Sequence, residues 1–296
     1  MEDDLVVDPF FYNFAVTCLE FYDGAEEIAG HALYSPSFNE TASLPFTPMA
    51  NGFASYFMQV PCSWGQCWSA AQWRNFKSWL EESVKLELAN DFRVPPNVRA
   101  WPETSWKKHF AHYLVERNLY FTYPYLSYST NCSPAGGTHI KREISLLQVP
   151  LASPRRVKDR WQMCPVSYRE VTYDAYMEAS GKFVFRSLGI ERNDVAIDLY
   201  GTKPLELLQR HEWAVTSKPS KRANRSFPLQ FKPVELNLAF QFAPLEEGKI
   251  ALAKSSDVQK SRPPIDLQRF EYWTNVKWSL VRVMALARAA VNALGR

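Results

Sequence analysis

Apolar residues return every three or four positions from Phe11 onward. Phe11, Phe14, Ala15, Cys18, Leu19 and Tyr22 fall on one stripe and predict a helix. Asp8 and Pro9 supply the residue types that open a helix, and Asp23-Gly24 ends the pattern. EEIAGHALYSP predicts a short strand running into a loop, and Pro36, Pro45, Pro48, Asn51-Gly52 and Pro61 predict loop over 35–61. Trp73, Phe76, Trp79, Leu80 and Val84 share a face of a helix over 70–88, and Trp106, Phe110, Tyr113 and Leu114 share one over 105–118. LYFTYPYLSYSTN (119–131) alternates aromatics as a strand does, with a break at Pro124. A turn at Gly136-Gly137 leads into irregular chain up to about residue 165.

The second half mixes the two periods. YREVTYDAYMEASGKF predicts a helix-bearing segment, and DVAIDLYGT, HEWAVTSKP and LQFKPVELNLAF predict short strands. Pro263-Pro264 close a polar linker over 256–265, and a last helix is expected from Asp266 to Leu294. No internal repeat emerges. The fold class that follows is α/β, with a main domain over 1–255, the linker, and a helical extension over 266–296.

Composition narrows this reading only in places. At 296 residues, 46% hydrophobic and 22% charged, the chain is globular and long enough for a substantial core. Aromatics reach 15%, which suits stacking on sugar rings or bases and equally suits an aromatic core. The net charge of +3 argues against nucleic acid as a partner, and the basic stretches SPRRVKDR and TSKPSKRANR read as solvated loops. Cys18, Cys62, Cys67, Cys132 and Cys164 lack zinc-site spacing and read as free thiols of a reducing compartment. With no run of about 18 apolar residues and no leader pattern, a cytoplasmic location is expected.

Two stretches carry candidate chemistry. Glu2, Asp3 and Asp4 would place hard oxygen donors side by side at a strand end, which suits Mg²⁺ or Mn²⁺ with phosphate oxygens completing the shell. In QVPCSWGQCWSAAQW (59–73), Gly65 permits close backbone approach, and Trp64 and Trp68 offer rings that could stack on a sugar or simply pack the following helix.

These segments also resemble those of a known family. MEDDLVVDPFFYNFAVTCLEFY is similar to the part of GT-A-fold glycosyltransferases where a strand ends in Glu-Asp-Asp and a helix follows. EEIAGHALYSP looks like a loose variant of their I-S-G-Y strand, and CSWGQCWSAAQW resembles the S-W-G-x-x-W element of bacterial family 2-like transferases. In N-acetylglucosaminyltransferase I-like enzymes a Trp-Pro, a Trp-Asp-Asp, a Pro-containing strand and a Gly-x-x-His loop follow. Trp101-Pro102, Trp106, Pro124 and Gly136-Gly137-Thr138-His139 keep that order over a resemblance spanning roughly residues 1–240.

The resemblance implies the C-terminal part of a GT-A domain of Rossmann-like, mixed-sheet type, comprising its metal and acceptor side. The nucleotide-binding half would lie ahead of the triplet, so a longer enzyme is expected. It implies an inverting, metal-dependent transfer from a UDP- or GDP-linked sugar to a glycan or lipid-linked acceptor in surface polysaccharide synthesis. Asp4 would be the main Mn²⁺ or Mg²⁺ ligand. Glu2 and Asp3 would contact metal-bound water, ribose or sugar, with His139 at the metal or diphosphate and Trp64, Gly65 and Trp68 shaping the sugar pocket. Lys107 and Lys108 stand where the family has carboxylates, which leaves Glu103 as the nearest candidate base. A non-catalytic carbohydrate-binding or scaffold protein derived from such an enzyme is the alternative. In the last helix, Leu280, Val281, Met284, Ala287, Val291 and Leu294 form a stripe beside Lys277, Arg282, Arg288 and Arg296. With Trp273 and Trp278 this fits peripheral membrane contact, or packing on the domain.

Overall fold

The structure is a computed structural model that describes residues 4–83, 90–132, 145, 147–152, 161–240, 248–264, 266–277 and 279. In chain order the first half runs β1 (Leu5–Val7), α1 (Phe11–Phe21), β2 (Ile28–Ala32), β3 (Phe38–Asn39), β4 (Leu44–Pro45), β5 (Ser55–Met58) and β6 (Gln66–Cys67). It continues through α2 (Ala70–Ser83), α3 (Pro96–Arg99), α4 (Trp106–Glu116), β7 (Tyr120–Pro124) and β8 (Ser129–Asn131). The second half holds β9 (Thr172–Tyr173), α5 (Lys182–Leu188), β10 (Val195–Asp198), α6 (Leu205–Leu208) and β11 (Trp213–Thr216). It ends with β12 (Arg225–Phe227), α7 (Leu236–Ala239), β13 (Ile250–Lys254) and α8 (Leu267–Thr274). The chain is therefore a mixed α/β protein.

Its first sheet has the order β6-β2-β7-β5-β9, with β2 parallel to β7 and β5 antiparallel to β7. Both faces are covered. Ile28, Phe57 and Tyr120 pack with Phe14 and Cys18 of α1, whereas Tyr56, Met58, Phe121 and Tyr123 belong to the cluster that holds Phe76 and Trp79 of α2 and Phe110 and Leu114 of α4. Alternating side chains thus feed two apolar layers. This explains why β5, inside the expected loop over 35–61, shows no polar alternation: both of its faces are buried. The second sheet, β10-β11-β13-β12, pairs β10 and β11 in parallel and the rest antiparallel. Val195, Ile197, Val215, Phe227, Ile250 and Leu252 join the same core as the first sheet, so the two halves share one interior. Most of the aromatic content is spent here: Tyr56, Tyr173, Tyr176, Phe14, Phe76, Phe110 and Phe121 are among the largest fully buried side chains.

Several boundaries differ from expectation. Asp8 is not the cap: its Oδ1 accepts from Phe10 N at 2.8 Å in a turn just ahead of the helix, and Phe10, two residues on, is the N-cap of α1 without a side-chain cap bond. The segment before residue 181 holds β9 and a turn, and the helix starts only at Lys182, after its N-cap Gly181, where a Cβ would strike Glu170 O at 2.2 Å. LQFKPVELNLAF forms α7, with Leu238 buried, rather than a strand. The linker expected over 256–265 packs on the domain: Val258 is buried and bridges to Ser220, and Pro263 lies against Gly201. The last helix is shorter than the expected Asp266 to Leu294: α8 ends at Thr274, where Asn275 turns left-handed at φ 56° and residues 275–277 are not helical, and it docks on the domain. Asp266 caps α8, Tyr272 OH donates to Phe231 O at 2.7 Å, and Trp273 stacks on Tyr200 at 4.9 Å instead of facing outward. The stripe from Leu280 to Leu294 lies outside the described residues, as does Trp278. Among the described residues no helix is long and apolar enough to cross a membrane.

Candidate functional site

β1 and β8 form a short antiparallel ladder in which Leu5 faces Asn131 and Val7 faces Ser129. It carries Asp4 one residue beyond its end, where Cys132 N donates to Asp4 O at 2.8 Å. The side chain is fixed too, since Asn131 Nδ2 donates to Asp4 Oδ2 at 2.8 Å. The other oxygen, Oδ1, is buried and has no hydrogen-bond partner among the described residues. A buried carboxylate oxygen in that condition carries an uncompensated desolvation cost that a bound cation would remove.

The same strand holds the Trp64-Gly65 turn. Ser129 Oγ donates to Trp64 O at 2.7 Å, and Leu33 N donates to Gly65 O at 2.8 Å. Gly65 has φ +80°, and a Cβ there would lie 2.6 Å from Ser129 Oγ, so the close approach to β8 requires glycine. Asp4 and the turn are therefore two positions apart on one strand, tied through Asn131 and Ser129.

Trp64 projects beside Tyr34, whose ring meets it edge-on at 5.0 Å and whose hydroxyl donates to Leu147 O at 2.9 Å. On another side lies Lys107 of α4, with Nζ 5.1 Å from the Trp64 ring centroid and 5.2 Å from that of Trp101. Trp64, Trp101 and Lys107 are all half-buried, and Lys107 and Trp101 line a shallow crevice with Glu40, Gln59 and Asn97.

Trp68 has a different job. It stacks on Phe110 at 5.8 Å, meets Trp106 and Phe121 edge-on, and points Nε1 at Gly30, where a Cβ would approach within 2.5 Å. It braces the turn from behind and offers no open sugar platform, because its ring is committed to this aromatic cluster.

Glu103 is exposed and bound to Lys108 at 2.5 Å. Lys108 is itself buried and also donates to Trp101 O at 3.0 Å. The hydrogen bond from the Lys108 ammonium holds the Glu103 carboxyl below its ordinary range, which makes it a poorer proton acceptor than a free glutamate. The candidate base thus neutralises a buried lysine that anchors the Trp101 turn.

Glu2, Asp3 and His139 lie outside the described residues. Among the described residues no group of three or more His, Cys, Asp or Glu side chains is arranged to hold a metal ion. Of the described residues at this corner, Asp4 offers a hard, unpaired oxygen, a donor that fits Mg²⁺ or Mn²⁺ as one ligand of several.

Away from this corner, a buried polar network joins the two sheets. Glu178 Oε1 and Oε2 accept from Tyr200 N at 2.7 Å and Leu199 N at 2.9 Å, while Lys203 bonds Asp174. Asp198 accepts from Lys203 N and Thr216 Oγ1. Burial, reinforced by Asp198, pushes the Glu178 carboxyl well above its ordinary value. With Glu178 and Asp198 sealed from solvent, this network fixes the sheets and presents no open face.

Sequence reasoning missed Asn131, Ser129, Tyr34 and Trp101 as site-forming residues. A polar Ser-x-Asn at the end of an aromatic strand was the available signal for the first two. No protein-family profile, no curated protein and no solved structure matches this chain.

Proposed function

We propose that the chain is the metal- and acceptor-side part of a GT-A-type glycosyltransferase, moving a sugar from a UDP- or GDP-linked donor to a glycan or lipid-linked acceptor with inversion. One observation carries the reading: a buried carboxylate oxygen of Asp4 without a partner among the described residues, held by Asn131 of the strand β8 whose Ser129 also braces the Trp64-Gly65 turn. Asp4 would supply one ligand to Mn²⁺ or Mg²⁺, and the bound ion would neutralise charge on the donor diphosphate. Asn131 holds the Asp4 carboxylate in one orientation, and Ser129 with Gly65 holds the Trp64 turn against β8. Inverting transfer also needs a group to take the acceptor proton. Glu103 is weakened for that role by Lys108, which favours the second reading, a glycan-binding protein without transfer.

Transfer assays with UDP- and GDP-sugars, run with Mn²⁺ and with EDTA on the wild type and Asp4→Ala, separate the two. The first reading expects transfer that needs Mn²⁺ and falls at least 100-fold in Asp4→Ala, with an unchanged unfolding midpoint as the folding control. Metal-independent binding of a glycan, with no Mn²⁺-dependent affinity for a nucleotide diphosphate, would establish the binder instead.

A further inference from the structure

A cavity of about 550 Å³ lies between the chain at Arg169 and helix α5, within the roughly 300–1,000 Å³ of small-molecule sites. Arg169 bonds Glu27, the residue just ahead of β2, at 3.1 Å and lies over the ring of Tyr120, the first residue of β7. The Asp4 corner is reached from the far end of β2, where Leu33 N donates to Gly65 O. The two places therefore sit at opposite ends of the first sheet.

Backbone contacts build the cavity. Lys182 N donates to Arg169 O at 2.8 Å and Phe183 N to Glu170 O at 3.3 Å, an approach that needs Gly181, since a Cβ there would strike Glu170 O. Four cations line it, Arg169, Lys182, Arg186 and Arg192, against one carboxylate, Glu191. Two of the guanidiniums are clamped by acids outside the lining: Arg169 by Glu27, and Arg186 by both oxygens of Glu170, at 3.0 and 2.8 Å. Among the described residues Lys182 and Arg192 form no ion pair. Lys182 and Arg186 stand four apart on one helix face, a spacing at which like charges repel, and Glu170 answers Arg186. Arg225 donates to Leu188 O at 3.0 Å, which offsets the negative end of α5 beside the cavity. Half-buried Phe185 and Ile190 add an apolar wall, and the space where a Gly189 Cβ would stand is open.

We infer that this cavity binds a phosphorylated small molecule, with its phosphate among Lys182, Arg192 and the two clamped guanidiniums and its ring against Phe185 and Ile190. A phosphate presents three oxygens and up to two charges, which several convergent donors match better than they match one carboxylate. This site is independent of the transferase reading.

The test is calorimetry on the full chain at low salt in EDTA, with glucose 6-phosphate, glucuronate and glucose as probes. EDTA keeps any cation from Asp4, so the outcome does not depend on the metal corner. Glucose 6-phosphate should bind at least 10-fold more tightly than glucuronate, glucose should not register, and the affinity should fall as salt rises. Lys182→Gln combined with Arg192→Gln should weaken glucose 6-phosphate at least 10-fold, and Glu191→Gln should tighten it. All three side chains are exposed, so the unfolding midpoint should not move. Lys221→Gln combined with Arg222→Gln, an exposed basic pair outside the cavity, should leave the affinity within about two-fold, as should Asp4→Ala. No binding of glucose 6-phosphate, equal losses in the two double variants, or loss in Asp4→Ala would overturn the inference. Co-sedimentation with phosphatidic acid vesicles that needs Lys182 and Arg192, without binding of glucose 6-phosphate, would overturn it in favour of a lipid headgroup.

Discussion

His31 gives a stability test whose size follows from its surroundings. The residue is central in β2, 1% exposed, with Nδ1 2.8 Å from Thr122 Oγ1 and its ring stacked at 5.6 Å on Tyr22. Among the described residues no carboxylate pairs with it, and burial pulls its pKa down from 6.5 to about 4. Above pH 6.5 the imidazole is neutral in both folded and unfolded chains and contributes nothing to the pH dependence. As pH falls below 6.5 the unfolded chain binds a proton that the folded one refuses, so stability is lost until about pH 4, where both are protonated. At about 1.4 kcal/mol per pH unit, that window amounts to a loss of about 3 kcal/mol.

The perturbation is His31→Gln, which keeps a hydrogen-bonding group and cannot titrate. Urea unfolding of both proteins, followed by tryptophan fluorescence from pH 4 to pH 8, gives the stability difference at each pH. The variant loses packing by a constant amount, which leaves the slope untouched. Other titrating groups, shared by both chains, cancel in the difference. The advantage of wild type over variant should shrink by about 3 kcal/mol between pH 7.5 and pH 4. A difference flat to within about 0.5 kcal/mol would mean that the imidazole is not sealed between α1, α2 and the sheet, and the reasoning would fail.

Two further outcomes are expected. Burial pushes the Glu235 carboxyl up from 4.5 to about 7, so the stability it permits is fully present below pH 4.5 and is lost as pH rises through 7; Glu235→Gln should remove a fall of about 3 kcal/mol between pH 4.5 and 8 in the same unfolding assay. Gly65→Ala should cost about 2–4 kcal/mol, from left-handed backbone strain and from a Cβ forced to 2.6 Å from Ser129 Oγ, and combining it with Ser129→Gly should recover the steric part.

Helices α1 and α2 were legible because each buries one stripe, and α4 because its aromatic and apolar residues recur at helical spacing although Phe110 to Leu114 are all buried. Strand β5 was not, since Tyr56 and Met58 enter one core layer and Phe57 the other, leaving an apolar run with no period between two turn signals. The helix at Leu236–Ala239 was hidden by its length: four residues cannot establish a period of 3.6. The docking of α8 was undecided in the sequence because an aromatic pair such as Tyr272-Trp273 suits a membrane interface and a protein core alike. Tyr200, which covers Trp273, lies far away in sequence.

The site divides along the same line, between local pattern and distant contact. Asp4 and the Trp64-Gly65 turn stand out locally, but what makes them one place is β8, more than 60 residues from either, through Asn131 and Ser129. Trp64 and Trp68 are the same residue type four positions apart, and only the packing distinguishes them. Gly30 opens a slot that Trp68 fills, whereas Trp64 is left beside Tyr34 and Lys107. Lys107 and Lys108 separate because a helix turns about 100° per residue, which at the start of α4 leaves Lys107 half-buried beside Trp64 and Trp101 and buries Lys108. Capped by Ser105, α4 places Lys108 under the Trp101 turn, where only an acid could balance it, and Glu103 is drawn into that balance. The residue that resemblance offered as the base is thereby committed, and the residue next to its partner is left as the free charge at the crevice.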